Sequence, residues 1–275
     1  MGDQHSRIAR SGVSNFRSDW LSAVEAKKSL LCVGIDPSEP GQRSSQSIPS
    51  GVDKVEWTLK IIDQVAPYSA AIKPNRNYYK DISRSDMQRI TAQIRKHGML
   101  SIDDTKLADI GDTNAAALYH AAAEGYDSIT YAPFPGNTFG TAEEARRQNI
   151  GLIQLVLMSN PEFQVMKNAQ VNGQNFYEFL ADQAVTADVD GVVIGAPSKG
   201  NHIGLDELDR LAKKLTTQVI LVPGIGAQGG EVGPILQRFG KRTMVNVGRA
   251  IIYSHDPAAE AKRYRDLIQA ELAQF

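Results

Sequence analysis

A short charged segment carries the side chains best suited to chemistry in this sequence. It places Asp104 and Lys106 two residues apart and Asp109 three residues further along, while Lys73 ends an earlier apolar run. Alternate residues of a strand project to the same face, so we expect Asp104 and Lys106 to lie side by side. Two ammonium and two carboxylate groups would then converge. An ammonium group held in this way can stabilise developing negative charge and deliver a proton.

A surface salt-bridge cluster and a metal site are the two structural alternatives for these charges. Exposed ion pairs are common and contribute only ~0–1 kcal/mol each, so residue types alone do not separate a site from a charged surface. Asp103, Asp104, Asp109 and Asp112 also offer the oxygen ligands that Mg²⁺ or Ca²⁺ prefers. Lys106 stands among them, however, and its ammonium group would compete with a cation. The sequence therefore predicts no metal site.

Eight short apolar or β-branched runs recur along the chain at a mean spacing of roughly 30 residues, the length of one strand–helix unit. They cover residues 31–35, 70–72, 99–102, 128–131, 152–157, 191–194, 219–222 and 244–247. Strict alternation with helical patterns implies a parallel sheet, and eight near-even units favour a closed α/β (β/α)8 TIM barrel over a doubly wound sheet. We expect one barrel domain over residues 15–275, preceded by a polar, frayed extension over residues 1–14.

Local signals mark where several helices begin. Ser85 and Gln88 form a capping-box pattern, Thr141 has the same position before another helix, and Asp256 precedes a proline at the start of the last helix. The polar stretches 40–51 and 160–174 stand outside the rhythm. We expect both to be loops at the carboxyl ends of strands, where lids usually lie.

The carboxyl ends of the predicted strands carry polar residues, as the mouth of a barrel enzyme requires. Asp36, Lys73, Asp104 and Lys106 fall at the ends of the first three strands. The seventh and eighth units end in glycine-rich stretches, the second of which continues into Arg249. Loops at these two positions often bind phosphate, although glycines also serve tight turns.

Composition excludes several classes of protein. The chain has 275 residues and is 42% hydrophobic, so it is neither disordered nor fibrous. Its 30 Lys and Arg against 31 Asp and Glu give a formal net charge of -1, which provides no general attraction for nucleic acid or an anionic membrane. Cys32 is the single cysteine, so no internal disulfide can form. With no stretch apolar enough to span a membrane, we expect a cytoplasmic protein.

The chain resembles the orotidine 5'-monophosphate decarboxylase family, which catalyses the last step of de novo UMP synthesis. The strongest element is the Asp-x-Lys-x-x-Asp-Ile signature, present as Asp104, Lys106, Asp109 and Ile110, and the resemblance covers nearly the whole barrel. Gly111 stands where many members carry proline. Glycine at this position is usual in the longer subgroup of the family. The resemblance implies a barrel enzyme that acts on a nucleotide with neither metal nor cofactor.

The resemblance also assigns roles to single residues. Its catalytic set corresponds to Lys73, Asp104, Lys106 and Asp109, with Lys106 stabilising the carbanion at C6 of the pyrimidine and donating the proton. The expected substrate-binding residues are Asp36, Ile110, Thr113, Ser159, Pro223, Gln228, Gly248 and Arg249. Among them, Asp36 would bind the ribose and Arg249 the phosphate. Asp109 and Thr113 would complete the site of the partner in a homodimer.

Two alternative functions remain open. A related family that decarboxylates 3-keto-L-gulonate 6-phosphate with Mg²⁺ shares the Asp-x-Lys-x-x-Asp pattern. Its second strand ends in an acid, whereas this chain has Lys73 there, which favours the metal-free enzyme. The other alternative is a barrel that binds a phosphate ligand without catalysis. Against it, a binding protein has no need of alternating buried charges, which are costly to desolvate.

Overall fold

The computed structural model describes residues 15–225 and 231–275. Within these residues, eight parallel strands close a barrel in the order β1-β10-β9-β8-β5-β4-β3-β2. The strands are β1 (Leu31–Ile35), β2 (Ala71–Pro74), β3 (Leu100–Leu107), β4 (Ser128–Tyr131), β5 (Gly151–Leu157), β8 (Gly191–Ile194), β9 (Val219–Val222) and β10 (Thr243–Val247), while β6 (Gln170–Val171) and β7 (Gln174–Asn175) pair outside the barrel. The predicted (β/α)8 barrel is confirmed, whereas residues 1–14 and the expectation of a frayed extension lie outside the described residues.

Helices alternate with these strands and surround the barrel. They are α1 (Phe16–Lys27), α2 (Lys54–Val65), α3 (Arg84–Lys96), α4 (Gly111–Glu124), α5 (Thr138–Arg147), α6 (Phe163–Asn168), α7 (Phe176–Thr186), α8 (Leu205–Lys214), α9 (Gly233–Phe239), α10 (Arg249–Ile252) and α11 (Pro257–Leu272), with 3-10 turns at Arg76–Tyr78 and Gly240–Arg242. In the described part of the chain, no helix is long and apolar enough to cross a membrane.

The strands are apolar because both of their faces are covered. Every residue of β1, β4, β8 and β9 is buried, as expected of parallel strands that face side chains of the barrel interior on one side and helices on the other. Helix α1 covers the amino-terminal end of the barrel, where Phe16 packs so closely on Gly151 that a Cβ there would lie 2.7 Å from the Cβ of Phe16. The carboxyl-terminal ends of the strands lie at the opposite end, which forms the mouth of the barrel.

Two of the predicted helix starts are wrong by a few residues. Helix α3 is capped by Ser83, whose Oγ accepts a hydrogen bond from the Asp86 amide at 3.1 Å, so Ser85 lies inside the helix. Helix α5 begins after Asn137, and Thr141 lies within it. A polar residue in the first turns of a helix can be mistaken for the cap, because only the backbone geometry distinguishes the two. The cap at Asp256 is confirmed by its bond from the Ala259 amide at 3.0 Å.

The two stretches outside the strand–helix rhythm differ in structure. Residues 40–51 run irregularly from β1 to α2, as predicted. The prediction of a loop over residues 160–174 is wrong, because this stretch folds as helix α6 followed by the first strand and the turn of the β6–β7 hairpin. Both elements are very short, so their apolar pattern is too brief to be detected by periodicity.

Candidate active site

The first three strands direct four charged side chains to the mouth of the barrel. Asp36 follows β1, Lys73 lies in β2, and Asp104 and Lys106 lie in β3. Strand β3 extends to Leu107, five residues beyond the predicted strand end, so Asp104 and Lys106 belong to the strand rather than to the loop after it. Because β1, β2 and β3 are neighbours in the barrel, the four residues meet at one side of the mouth.

The carboxylate of Asp104 lies between two ammonium groups. Its Oδ2 accepts a short hydrogen bond from Lys73 Nζ, and its Oδ1 lies 2.7 Å from Lys106 Nζ. The side chains of Lys73 and Asp104 are only 9% and 8% exposed, whereas that of Lys106 is 43% exposed. The buried pair rules out a surface salt-bridge cluster. It also leaves the Lys106 ammonium group open to a ligand in the mouth.

Burial and charge act in opposite directions on the pKa values of this pair. Burial alone would raise the pKa of Asp104, but Lys73 and Lys106 lower it well below its usual range. Burial would likewise lower the pKa of Lys73, yet Asp104 and Asp36 raise it above its usual value. Both groups are therefore charged at neutral pH, and the site holds fixed charges before any ligand enters.

Lys106 reaches this position through an irregular backbone. Its φ is +51°, in the left-handed region that non-glycine residues seldom adopt. The register between β3 and β4 shifts between Asp103 and Leu107, and the Lys106 amide donates to Thr130 Oγ1 at 2.9 Å. Thr130 was not among the residues predicted from the sequence; the one signal for it was its place as a polar residue near the end of an apolar strand.

Asp103 faces away from this network although it adjoins Asp104 in sequence. It is 5% exposed, and its Oδ1 has no hydrogen-bond partner among the described residues. Burial raises the pKa of Asp103 to about 7; Arg76 opposes the shift, while Glu124 and Asp104 add to it. Glu124 is itself buried and paired with Arg76 at 2.8 Å. Strand alternation thus separates two adjacent acids into a charged group and one that titrates near neutrality.

This pKa predicts a pH-dependent change in stability. The unfolded chain, with a carboxyl pKa of about 3.9, releases the Asp103 proton at a lower pH than the folded chain does. The contribution of Asp103 to the free energy of unfolding therefore favours folding at low pH and is lost as the pH rises to about 7. Asparagine cannot titrate, so the free energy of unfolding of Asp103→Asn minus that of wild type should rise by on the order of 2 kcal/mol from pH 5 to pH 8. Urea unfolding at the two pH values measures the difference.

The control for that prediction is Asp209→Asn, which removes an exposed carboxylate that pairs with Arg238 on the outer helices. Its effect should be the same at both pH values. A difference between Asp103→Asn and wild type that does not change with pH would contradict the raised pKa of Asp103.

The second half of the signature motif lies apart from the charged pair. Asp109 and Thr113 are exposed, and the side chain of Ile110 is exposed as well. Asp109 Oδ1 accepts from the Ile110 amide at 2.8 Å, and Asn114 Nδ2 donates to the carbonyl oxygen of Asp109 at 2.6 Å. Among the described residues, the ammonium group of Lys106 pairs with Asp104 and not with Asp109.

The remaining predicted ligand-binding residues surround the mouth. Asp36 Oδ2 pairs with Arg43 at 3.0 Å, which ties the stretch 40–51 to the end of β1. Ser159, after β5, packs so closely on Gly195, after β8, that a Cβ at Gly195 would lie 2.6 Å from the Cβ of Ser159. Glycine is therefore required there for the end of β8 to approach Ser159.

The ends of β9 and β10 form the remaining side of the barrel mouth. Pro223 follows β9 and is half-buried, and Gly248 and Arg249 follow β10, with the Arg249 side chain exposed. A Cβ at Gly248 would lie 3.3 Å from the carbonyl oxygen of Gly34 in β1, so the two strand ends come close together. Gln228 lies outside the described residues.

A second polar residue at the mouth was missed from the sequence. Asn246 interrupts the apolar strand β10, and its side chain lies against Gly34, where a Cβ would be 3.0 Å from Asn246 Oδ1. That buried oxygen has no donor among the described residues. A polar residue flanked by valines within a strand was the signal that could have identified it.

Known proteins resemble the chain over its whole barrel. A model of the Orotidine 5'-phosphate decarboxylase / HUMPS family matches residues 29–264. A protein named orotidine 5'-phosphate decarboxylase from Polaromonas naphthalenivorans (strain CJ2) is 32% identical, and the alignment covers 93% of this chain and 96% of that protein. One of the same name from Dehalococcoides mccartyi (strain ATCC BAA-2266 / KCTC 15142 / 195) is 28% identical over 92% of this chain and 97% of its own length.

Solved structures share the fold. The structure of Leishmania donovani OMP decarboxylase has a TM-score of 0.76 and 25% identity, with 94% of this chain and 98% of that chain covered. The structure of Leishmania donovani UMP synthase has a TM-score of 0.78 and 27% identity over 93% of this chain. This chain spans 56% of that longer protein.

The family match covers all the barrel strands that carry the site. It runs from just before strand β1 into helix α11, and therefore includes every barrel strand and the charged residues of the mouth. The chain belongs to the Orotidine 5'-phosphate decarboxylase / HUMPS family.

Proposed function

We propose that this protein decarboxylates orotidine 5'-monophosphate to UMP in pyrimidine biosynthesis, with neither metal nor cofactor. The observation that carries the proposal is the buried Lys73–Asp104 pair with the exposed Lys106 ammonium group beside it at the barrel mouth. A fixed cation of this kind can stabilise negative charge that develops on a ligand. The family and the names of the relatives support this choice of substrate.

The proposed reaction needs one cation and one proton. The bond between C6 of the pyrimidine and its carboxylate breaks, CO₂ leaves, and the electron pair stays at C6. The Lys106 ammonium group stabilises this carbanion and then donates a proton to C6, becoming a neutral amine that regains its proton from solvent. Asp104 fixes the ammonium group through the 2.7 Å contact, so little reorganisation is required when charge develops.

The substrate would extend across the mouth from β1 to β10. Asp36 and Lys73 bind the ribose hydroxyls, and Ser159 and Pro223 contact the pyrimidine. Gly248 and Arg249 hold the phosphate, with Gln228 reaching both base and phosphate. The phosphate group lies far from C6 and takes no part in the bond changes. Its binding energy can nevertheless be used to stabilise the transition state at C6.

The exposed position of Asp109 supports a shared site in a homodimer. Asp109, Ile110 and Thr113 lie on the surface of one chain, where they can meet the mouth of a second copy. In this proposal the partner's loop completes each site and faces Lys106. The remaining parts of the proposal are that residues 15–275 form one domain and that the enzyme works in the cytoplasm.

Mixing two inactive variants tests the shared site. Lys106→Ala and Asp109→Ala each damage both sites of their own homodimer. A mixed dimer has one site with both changes and one site with neither, so we expect mixing after subunit exchange to restore about a quarter of wild-type activity, since half of randomly formed dimers are mixed. Activity that stays at the level of the separate variants would contradict a site built from two chains.

The first test of the function is the loss of orotidine 5'-monophosphate absorbance with purified protein, with and without excess EDTA. Turnover to UMP that EDTA does not change is expected. Turnover that EDTA abolishes would overturn the metal-free mechanism, and an assay of 3-keto-L-gulonate 6-phosphate with Mg²⁺ would then follow. Binding of UMP without any turnover would instead indicate a non-catalytic barrel.

A further inference from the structure

The hydroxyl group of Thr130 joins the backbone of Lys106 to the carboxylate of Asp104. Thr130 lies in β4 and is 1% exposed. Its Oγ1 accepts a hydrogen bond from the Lys106 amide at 2.9 Å. The same oxygen lies 3.2 Å from Asp104 Oδ1 and 3.4 Å from the carbonyl oxygen of Asp103, so its single proton has the carboxylate as its nearer acceptor.

This contact lies where the β3–β4 ladder is interrupted. Asp103 pairs with Ile129 and Leu107 with Tyr131, so three residues of β3 between the two pairs face a single residue of β4, Thr130. A bulge of this kind bends a strand and redirects a side chain. In this interrupted part of the ladder the amide of Lys106 donates to a side chain, the Thr130 hydroxyl.

The left-handed backbone at Lys106 has a cost that the surrounding structure must offset. Such a conformation persists only where neighbouring contacts hold it in place. Here the Thr130 hydroxyl binds the amide of Lys106, while Asp104 binds its ammonium group. Both ends of Lys106 are thus fixed through one network. Without the hydroxyl, the amide of Lys106 and one oxygen of Asp104 would each lose a partner.

We propose that Thr130 is a positioning residue for the reaction, which holds the bulge of β3 so that the Lys106 ammonium group meets C6 of the substrate. This inference rests on the proposed decarboxylation. Thr130 itself touches neither the substrate nor the proton that is transferred. Its effect is on the placement of Lys106, and small errors in the placement of a catalytic group reduce the rate of the chemical step more than substrate binding.

Thr130→Val tests this role, since valine keeps the branched shape and puts a methyl group in place of the hydroxyl. We expect kcat for orotidine 5'-monophosphate to fall roughly 10- to 100-fold, with KM within about threefold of wild type. Thr130→Ser keeps the hydroxyl and should retain kcat within a few-fold. The matched control is Thr243→Val in β10, because the Thr243 hydroxyl is buried and has no partner among the described residues. Its kcat should equal that of wild type.

Hydrogen exchange at the Lys106 amide gives a second readout that does not depend on turnover. Loss of the Thr130 acceptor should speed exchange of this amide in Thr130→Val by at least about tenfold, and Thr130→Ser should leave it slow. If Thr130→Val does not fold, Thr130→Ala against Thr130→Ser makes the same comparison, because both lack the methyl group and only serine has the hydroxyl.

The outcomes separate this inference from the proposed function. An inactive wild-type protein would refute the decarboxylation, and the amide exchange would still decide whether Thr130 holds Lys106. With an active wild type, a kcat for Thr130→Val equal to that of Thr243→Val would overturn the positioning role. So would a rise in KM with no change in kcat, because that pattern indicates a binding contact.

Discussion

Replacing Lys106 by alanine is expected to lower kcat by about 10⁴-fold or more while the barrel stays folded. The change removes both the cation that stabilises the carbanion and the acid that protonates it. The side chain is 43% exposed, and its loss leaves the buried Lys73–Asp104 pair intact, so the free energy of unfolding should change little. Orotidine 5'-monophosphate turnover and circular dichroism together measure the two effects.

Chemical rescue gives this prediction a sharp control. Lys106→Cys followed by alkylation with 2-bromoethylamine restores an ammonium group on a side chain of nearly the same length. The single native cysteine, Cys32, is buried, and burial raises the pKa of its thiol to about 12, so it should not react. We expect the alkylated protein to recover a large part of the lost activity.

Two results would contradict the role of Lys106. Substantial turnover by Lys106→Ala would show that another group protonates C6. Failure of the alkylated Lys106→Cys protein to exceed the untreated protein would show that a cation at this position is insufficient. Lys262→Ala on helix α11, where Lys262 pairs with Asp266 at the surface, should behave as wild type in the same assays.

Asp104→Asn is expected to lower the free energy of unfolding by about 3–5 kcal/mol. Asparagine keeps the shape but removes the charge that compensates Lys73, whose side chain is 9% exposed. With only the Asp36 carboxylate left to oppose burial, the Lys73 ammonium group then has a lowered pKa in the folded chain, and the unfolded chain binds more protons. The stability of the variant should therefore rise with pH toward the unfolded lysine pKa of about 10.4.

A double variant distinguishes loss of the charge pair from a simple packing defect. Lys73→Met removes the ammonium group, so the combination of Lys73→Met with Asp104→Asn buries no unpaired charge. We expect it to be more stable than Asp104→Asn alone, as measured by urea unfolding at neutral pH. Strictly additive losses would contradict the coupling between Lys73 and Asp104.

Much of the architecture could be predicted from local sequence. Seven of the eight predicted strand runs agree with the observed strands to within about two residues at each end, because the residues of a parallel strand are buried on both faces and form short apolar runs. The exception is β3, predicted to end at residue 102 and observed to end at Leu107. Its last part carries charge, so hydrophobicity did not reveal it.

The placement of the site residues could be predicted only in part. A residue at the carboxyl end of a barrel strand must lie at the mouth, so sequence position was enough to bring Asp36, Lys73 and Asp104 to one end of the molecule. Burial of the Lys73–Asp104 pair depends on how β2 and β3 pack, and that was not encoded locally. Thr130 and Asn246 were missed because their contacts are with neighbouring strands.

The sequence by itself determined the alternation of strands and helices, the end of the barrel that holds the charges and the residues that provide them, because each of these follows from short-range periodicity and chain order. Only the tertiary structure decided the bulge in β3, the left-handed backbone of Lys106 and its bond to Thr130. The physical reason is that strand register is set by pairing between residues far apart in sequence. The side chain of one strand therefore decides how a lysine on the next is held.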